Sequence, residues 1–115
     1  MRLRHILIAL SIAAVAALVA AGFALEYRAQ TRSAELWNQV SRSAPNGATR
    51  AQVESALKAE GLPFSFSAPS NVIVSPWIPI GRYRLLWKTQ FYYQISFNEQ
   101  GQVIGFSTER FNEGL

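Results

Sequence analysis

The residues able to do chemistry are few, and their types exclude most catalytic arrangements. The 115-residue chain contains no cysteine and no aspartate, and its single histidine, His5, lies beside the N-terminus. Without these residues, neither a Ser–His nor a Cys–His nucleophile pair can form in the rest of the chain, and a Cys- or His-ligated metal site cannot form there either. We predict no catalytic residue, no metal ligand and no cofactor-binding residue, and we do not expect an enzyme.

The seven acidic residues are all glutamates, and they are the remaining source of acid–base chemistry. A paired-carboxylate hydrolase needs two of them about 5–10 Å apart across a cleft. Glu54 and Glu60 are expected on the exposed side of a helix, and Glu99 in a hairpin turn. Solvated surface carboxylates are the simplest interpretation. Two glutamates converging in one pocket would revive the enzyme hypothesis.

Three basic residues are suited to recognition rather than catalysis. Arg82, Arg84 and Lys88 alternate with Tyr83 and Trp87, which predicts that the basic side chains align on one strand face. They could meet lipid phosphates, an acidic glycan or an acidic protein surface. The alternative is that they solubilise an edge strand and deter edge-to-edge pairing.

A second candidate for recognition is the segment 75–81, Ser-Pro-Trp-Ile-Pro-Ile-Gly. Its two prolines predict a loop without regular strand pairing. Trp77, Ile78 and Ile80 cannot all be hidden easily on such a loop, so they are candidate contacts for a partner. The alternative is that Trp77 folds back and plugs an open end of a small core.

An apolar segment near the N-terminus predicts a membrane anchor. Residues 6–25 contain no charge and only Ser11 as a polar residue. As a helix they would be about 30 Å long, which matches the hydrocarbon core of a bilayer. The length favours an anchor that contacts membrane lipid over a cleaved signal peptide, whose apolar core usually has about 7–15 residues. The alternative is cleavage after Ala24, where Gly22 and Ala24 are small residues at positions −3 and −1.

Arginines flank this segment on both sides, so the positive-inside count is nearly balanced. Arg2 and Arg4 precede it, and Arg28, Arg32 and Arg42 follow. We give the N-terminal pair more weight, because a short basic leader normally precedes a translocated segment. The prediction is a single-pass protein of the bacterial inner membrane with its C-terminal region in the periplasm. Cleavage of the leader would instead release it into the periplasm.

Four alanines at intervals of four form a ridge of small side chains along the predicted span: Ala9, Ala13, Ala17 and Ala21. Such a ridge would let another transmembrane helix approach closely. The alternative is that eight alanines among these 20 positions produce the spacing by accident.

Two helices are predicted beyond the span. The first covers residues 26–44, is continuous with the anchor and ends at the turn cluster 45–47. The second begins after Thr49, which is placed to cap the helix, with Gln52 three residues on as in a capping box. It ends at Gly61, which can adopt the left-handed conformation of a helix C-terminus.

From Phe64 onward, β-branched and aromatic residues replace the helical pattern and predict an antiparallel sheet. Short strands are expected at 64–67 and 72–74, an alternating strand at 82–88 and a hairpin within 91–108. The fold class is therefore α+β. An N-terminal transmembrane helix is followed by two helices packed on one face of a small antiparallel sheet.

The turn of the hairpin fixes its expected register. Pairing Asn98 with Gly101 places Ile95 opposite Ile104 and gathers the large apolar side chains on one face. The same register places Tyr92 on the wet face, together with Val103, which is the apolar exception there.

Five residues share the pattern of a known family: a glycine, a Ser/Thr cap, a valine, a leucine and a proline just past the helix. They are Gly47, Thr49, Val53, Leu57 and Pro63. Over residues 36–111 the chain resembles the BamE (SmpA/OmlA) group and the wider set that shares the repeat fold of β-lactamase inhibitor protein. The resemblance implies a small α+β domain that works by binding in the bacterial envelope. BamE proteins are lipoproteins held by an acylated cysteine, whereas this chain has no cysteine.

These observations predict three parts: an anchor or signal segment (1–25), a helical connector with the first helix (26–46) and an α+β domain (47–115). The expected function is a membrane-anchored extracytoplasmic binding or scaffold module that contacts another envelope protein. The alternative is a small accessory subunit that joins a membrane complex through its transmembrane helix. Nucleic acid is not an expected partner, because two of the four net positive charges belong to the N-terminal leader.

Overall fold

The structure is a computed structural model that describes residues 2–83 and 87–114, without the side chains at positions 82, 83, 87 and 113. It is an α+β arrangement of a long N-terminal helix, a second helix and a small antiparallel sheet. The elements in chain order are α1 (Arg2–Ser43), α2 (Arg50–Ala59), β1 (Ser65–Ser67), β2 (Val72–Val74), β3 (Ile78–Tyr83), β4 (Trp87–Phe97) and β5 (Val103–Gly114).

Helix α1 is one continuous helix of 42 residues, so the predicted anchor and the first predicted helix form a single element, which ends two residues before Pro45. At about 1.5 Å per residue it is about 63 Å long. Its apolar N-terminal part reaches a mean hydropathy of 2.6 with none of that window buried, so it is long and apolar enough to cross a membrane. Its C-terminal part instead buries Ala29, Leu36 and Val40.

Helix α2 begins with the predicted capping box. The Gln52 backbone N–H donates to Thr49 Oγ1 at 3.3 Å, and the Thr49 N–H donates to Gln52 Oε1 at 2.9 Å. Two amide donors that the helix itself leaves free are thereby satisfied. The helix is followed by Gly61, which has a φ of +71° and so takes the left-handed conformation that ends the helix.

Strand β4 is the centre of the sheet. It pairs with β5 over its whole length, so β2 and β3 lie end to end along its other side, and β1 pairs with β2. All of these pairings are antiparallel.

The β4–β5 hairpin forms where it was predicted, but the predicted register is wrong. The Asn98 N–H donates to the Gln102 carbonyl at 2.9 Å, which makes the loop longer than the one expected. A bulge follows, in which Ile104 is the extra residue, so Ile95 lies opposite Phe106 instead of Ile104. The bulge also changes the face of Val103, which is buried, while Ile104 is 61% exposed. The longer loop and the bulge each shift the pairing by one residue. Beyond the bulge the total shift is two residues, so the later residues of β5 lie on the predicted faces but opposite different partners.

The segment 75–81 is not the unpaired loop that its prolines predict. Residues from Ile78 onward form β3, which pairs with β4 and is bulged between Pro79 and Gly81. Among the described strands β3 has only β4 as a neighbour, so the missing N–H of Pro79 interrupts no second ladder. Prolines are tolerated on such edge strands and at bulges.

The single strand expected over residues 82–88 is also replaced by two. Arg82 ends in β3 directly opposite Lys88 in β4, and Tyr83 lies opposite Trp87. The third predicted basic residue, Arg84, lies outside the described residues. Side chains alternate between the two faces along each strand of an antiparallel pair, and residues opposite each other share a face. An alternating sequence therefore fits one long strand or two paired strands equally well.

The buried residues of helices and strands form one hydrophobic cluster. Leu36 of α1, Leu57 of α2, and Ile73 and Ile95 of the sheet are all completely buried in it. Each such side chain contributes about 1.5–3 kcal/mol relative to full exposure, which makes this cluster the main source of stability.

Tyr93 is a buried tyrosine in this core whose hydroxyl donates to the Pro63 carbonyl at 2.7 Å. Burial raises the pKa of Tyr93 above its ordinary value of 10.0. Above about pH 10 the phenol ionises in the unfolded chain but stays protonated in the folded one, so its contribution to stability is lost as pH rises.

Tyr93→Phe is therefore expected to cost about 0.5–1.5 kcal/mol at neutral pH through the lost hydrogen bond. The difference between the variant and the parent protein should narrow above about pH 10, because phenylalanine does not ionise. Urea unfolding of both proteins in detergent at neutral and alkaline pH measures this. A gap that stays constant through that range would contradict the raised pKa.

Candidate interaction surfaces

Three aromatic side chains from different parts of the chain meet on the sheet. The Trp77 ring lies 5.4 Å from that of Tyr92 and 5.7 Å from that of Phe111, centroid to centroid. Trp77 is 46% exposed and Phe111 is 52% exposed, while Tyr92 is half-buried between them. We call these three residues the aromatic cluster. Tilted aromatic pairs at these separations are mutually stabilising, so the cluster is an ordered apolar surface.

The cluster lies on the sheet face opposite the core residues of β4. Phe91, Tyr93 and Ile95 are buried, whereas the alternating residues Tyr92 and Gln94 are half-buried. The nearest polar residues of β4 on the cluster's face are the uncharged Gln90 and Gln94, and the Tyr92 hydroxyl donates to Gln94 Oε1 at 3.4 Å. Charged residues lie around them, because Glu109 of β5 is directly opposite Tyr92 and Lys88 follows Gln90 on the same face. An exposed aromatic centre with a polar rim is the usual composition of a protein-binding surface.

Trp77 is held in place by its neighbour Ser75, which is itself buried. The Ser75 N–H donates to the Tyr93 carbonyl at 3.0 Å, and the Tyr93 N–H donates to Ser75 Oγ at 2.9 Å. The ring of Pro76 fixes its own φ, so few backbone torsions are free to rotate between the anchored Ser75 and Trp77. The tryptophan is therefore positioned by the core and does not plug it, unlike in the alternative interpretation.

The two predicted isoleucine contacts lie elsewhere. Ile80 is buried in the core with 6% exposure, and Ile78 is partly buried against it. Ile80 also lines an open depression of about 400 Å³ between α1 and β3, together with Tyr27 and Arg28. Of the predicted loop contacts, Trp77 is the one whose side chain is available to a partner.

Of the predicted basic group, Lys88 is exposed and Arg82 lies opposite it in the backbone register. This end of the sheet is close to α1. A Cβ built on Gly81 would lie 3.1 Å from the Cβ of Ala29, so strand and helix backbones are in near contact. The backbones of Arg82 and Lys88 are consequently level with the part of α1 just beyond its apolar segment. Lys88 alternates with buried Thr89, so it lies on the sheet face away from the core.

The alanine ridge of the apolar segment is exposed along its whole length. It comprises Ala9, Ala13, Ala17 and Ala21. No residue of the described chain covers it, so it is accessible to lipid or to another helix.

The described glutamates are dispersed, and three of them pair with arginines. Glu35 contacts Arg32 at 3.2 Å, and Glu54 contacts Arg50 at 3.1 Å. The third pair joins Glu60 to an arginine of α1 at 3.3 Å. Within residues 2–83 and 87–114, no group of three or more His, Asp or Glu side chains is arranged to hold a metal ion.

Sequence reasoning missed two of the three members of the aromatic cluster. Tyr92 was placed on the wet face of the hairpin without any link to Trp77, and Phe111 was assigned no role. The missing signal was the register: Gln90 lies opposite Phe111, which makes Phe111 a diagonal neighbour of Tyr92. The predicted register keeps Phe111 on the same face but places it two residues farther along β4, opposite Lys88 and away from Tyr92.

No family model matches the chain, and comparisons with curated proteins and with solved structures likewise find no match.

Proposed function

We propose that this protein is a non-catalytic binding module of a bacterial envelope that docks another envelope protein on the aromatic cluster. The observation that carries the proposal is the exposure of Trp77 and Phe111 on an ordered sheet face. Aromatic anchors of this kind supply most of the binding energy of protein interfaces, and tryptophan is the most enriched among them.

In this proposal α1 holds the protein in the inner membrane as a single-pass anchor, and the sheet lies in the periplasm. The apolar, uncovered N-terminal part of the helix supports the anchor. The basic leader with Arg2 and Arg4 supports the orientation. N-terminal sequencing of the mature protein after cell fractionation tests this: an intact N-terminus in the membrane fraction is expected, and a chain starting after Ala24 would contradict the anchor.

The proposal also includes the finer architecture, in which both helices cover one face of the sheet and leave the other to the partner. Shared burial of Val40, Val53 and Tyr93 in one cluster supports this arrangement. It would be consistent with the proposed likeness to the BamE group, whose members bind protein in the envelope. The capping box at Thr49 supports the fold part of that likeness.

Trp77→Ala is expected to weaken co-purification of the partner with the tagged full-length chain by about 30-fold or more, which corresponds to about 2 kcal/mol. Trp37→Ala is the matched control, because Trp37 is 47% exposed and contacts the aromatic ring of Phe106 on a different surface. This control should retain the partner. Equal losses in both variants would point to destabilisation and not to a binding surface.

The competing function, an accessory subunit that associates through its transmembrane helix, predicts the reverse result. The double substitution Ala13→Ile and Ala17→Ile would fill the exposed alanine ridge and abolish association. Under our proposal it leaves co-purification unchanged. If neither this variant nor Trp77→Ala alters the set of co-purified envelope proteins, the binding role itself is wrong.

A further inference from the structure

The sheet approaches α1 close to the end of the apolar span. Leu25 is the last residue of that span, and Ala29 follows four residues later in the same helix. Four residues correspond to about 6 Å along a helix axis. Gly81 of β3 is in near contact with Ala29. Gly81 therefore lies only about 6 Å beyond the end of the apolar segment, measured along α1.

The direction of the strands follows from a second contact between α1 and the sheet. The ring of Trp37 lies 5.6 Å from that of Phe106, which is opposite Ile95 in β4. Gly81 is opposite Thr89 in the same strand. Between the two contacts the helix advances by eight residues, about 12 Å, and β4 by six residues, about 20 Å. Strand β4 thus runs away from the span, inclined at about 50° to the helix axis.

The end of the β3–β4 pair formed by Tyr83 and Trp87, called here the hairpin end, accordingly points back toward the span. The Tyr83–Trp87 pair lies two residues past the Gly81–Thr89 pair in that direction. Two residues of strand are about 7 Å, or about 4 Å when projected on the helix axis at this inclination. The pair therefore lies close to the level of Leu25, which is the level of the lipid headgroups if residues 6–25 cross a bilayer.

The residue types at this level are those of a membrane interface. Tyr83 and Trp87 lie opposite each other, and Arg82 and Lys88 form the next pair. Tyrosine and tryptophan are enriched at the boundary between hydrocarbon and water, and lysine and arginine attract anionic headgroups. On α1, Tyr27 at the same level is 71% exposed. We infer that the hairpin end of β3 and β4 is a second membrane contact, which binds anionic phospholipid headgroups beside the anchor.

This inference rests on the anchoring part of the proposed function, and the experiment separates the two. The chain has no cysteine, so single-cysteine variants carry one fluorophore each. Lys88→Cys reports on the hairpin end and Phe23→Cys on the span. Gln100→Cys is the matched control, because Gln100 is exposed like Lys88 but lies in the β4–β5 turn at the far end of β4.

The labelled full-length proteins are reconstituted in phosphatidylcholine vesicles with a minor share of phosphatidylglycerol and a headgroup-nitroxide lipid as quencher. We expect several-fold more quenching at position 88 than at position 100, and strong quenching at position 23. Quenching at 23 with equal, weak quenching at 88 and 100 would overturn the inference and leave the anchor intact. It is also the result expected if the basic residues contact an acidic protein instead. No quenching at 23 would refute the anchor and the inference together.

A second labelling position leaves Arg82 and Lys88 free to be substituted, so that the effect of their charges can be measured. Asn112 is exposed and lies opposite Thr89, next to the hairpin end. With a label at Asn112→Cys, the charge reversals Arg82→Glu and Lys88→Glu should reduce quenching in the vesicles that contain phosphatidylglycerol. In vesicles of phosphatidylcholine alone the reduction should be much smaller. Equal quenching before and after charge reversal in the anionic vesicles would refute headgroup binding by these residues.

Discussion

Replacing Gly81 with valine is expected to lower the free energy of unfolding by about 2–5 kcal/mol, because the residue is constrained twice. Its φ of +148° is rarely adopted by residues with a side chain, least of all by a β-branched one. An added Cβ would also lie 3.1 Å from the Cβ and 3.3 Å from the Cα of Ala29. The strand would have to move away from α1. Urea unfolding of the full-length chain in detergent, followed by near-ultraviolet circular dichroism, measures the loss.

Gly105→Val is the matched control for that substitution. Gly105 also lies in a strand, but its φ is not in the left-handed region and no atom lies within 4 Å of an added Cβ. A change within about 0.5 kcal/mol is expected, because Gly105 is half-buried but the added side chain meets open space. If both variants were equally mild, the close approach of β3 to α1 would be wrong, and the position of the hairpin end derived from it would be wrong too.

Leu36→Ala is expected to cost about 2–5 kcal/mol, since Leu36 is completely buried in the core. A small α+β protein has a stability of about 5–15 kcal/mol, so this single change removes a large fraction of it. The same urea unfolding in detergent gives the value. The expected loss arises because the C-terminal part of α1 belongs to the core as fully as α2 does.

Leu18→Ala makes the same chemical change in the same helix, where the leucine is 61% exposed on the apolar segment. It should leave the urea midpoint of the sheet unchanged. A similar loss in both variants would mean that the two halves of α1 unfold as one unit. The contrast also predicts the effect of cleavage after Ala24. Such cleavage would remove the apolar segment but keep Ala29, Leu36 and Val40, so the core would stay folded.

Local chemistry made α2 and its ends predictable from the sequence. The capping pair Thr49 and Gln52 lies within one helical turn, and the turn at Gly61 needs only that residue's freedom at positive φ. Strands β1 and β2 and the β4–β5 hairpin were predictable for a related reason, because alternation and turn residues are properties of short segments.

The register and the position of β3 were not predictable in the same way. The bulge at Ile104 leaves no mark that distinguishes it from a regular hairpin residue, yet it decides that Val103 is buried. Likewise, Pro79 argues against a strand unless it is known that β3 lies at an edge. The prediction of the candidate site was the least complete, because two members of the aromatic cluster are recognisable as neighbours of Trp77 only once the register is known.

The sequence by itself determined the scarcity of catalytic side chains, the apolar segment and the α+β class, because composition and periodicity suffice for these. Only the tertiary structure decided which residues face outward together. It joined Trp77 to Tyr92 and Phe111, buried Ile80 and brought Gly81 against Ala29. The physical reason is that those contacts join residues far apart in the chain, so no local pattern of residue types encodes them.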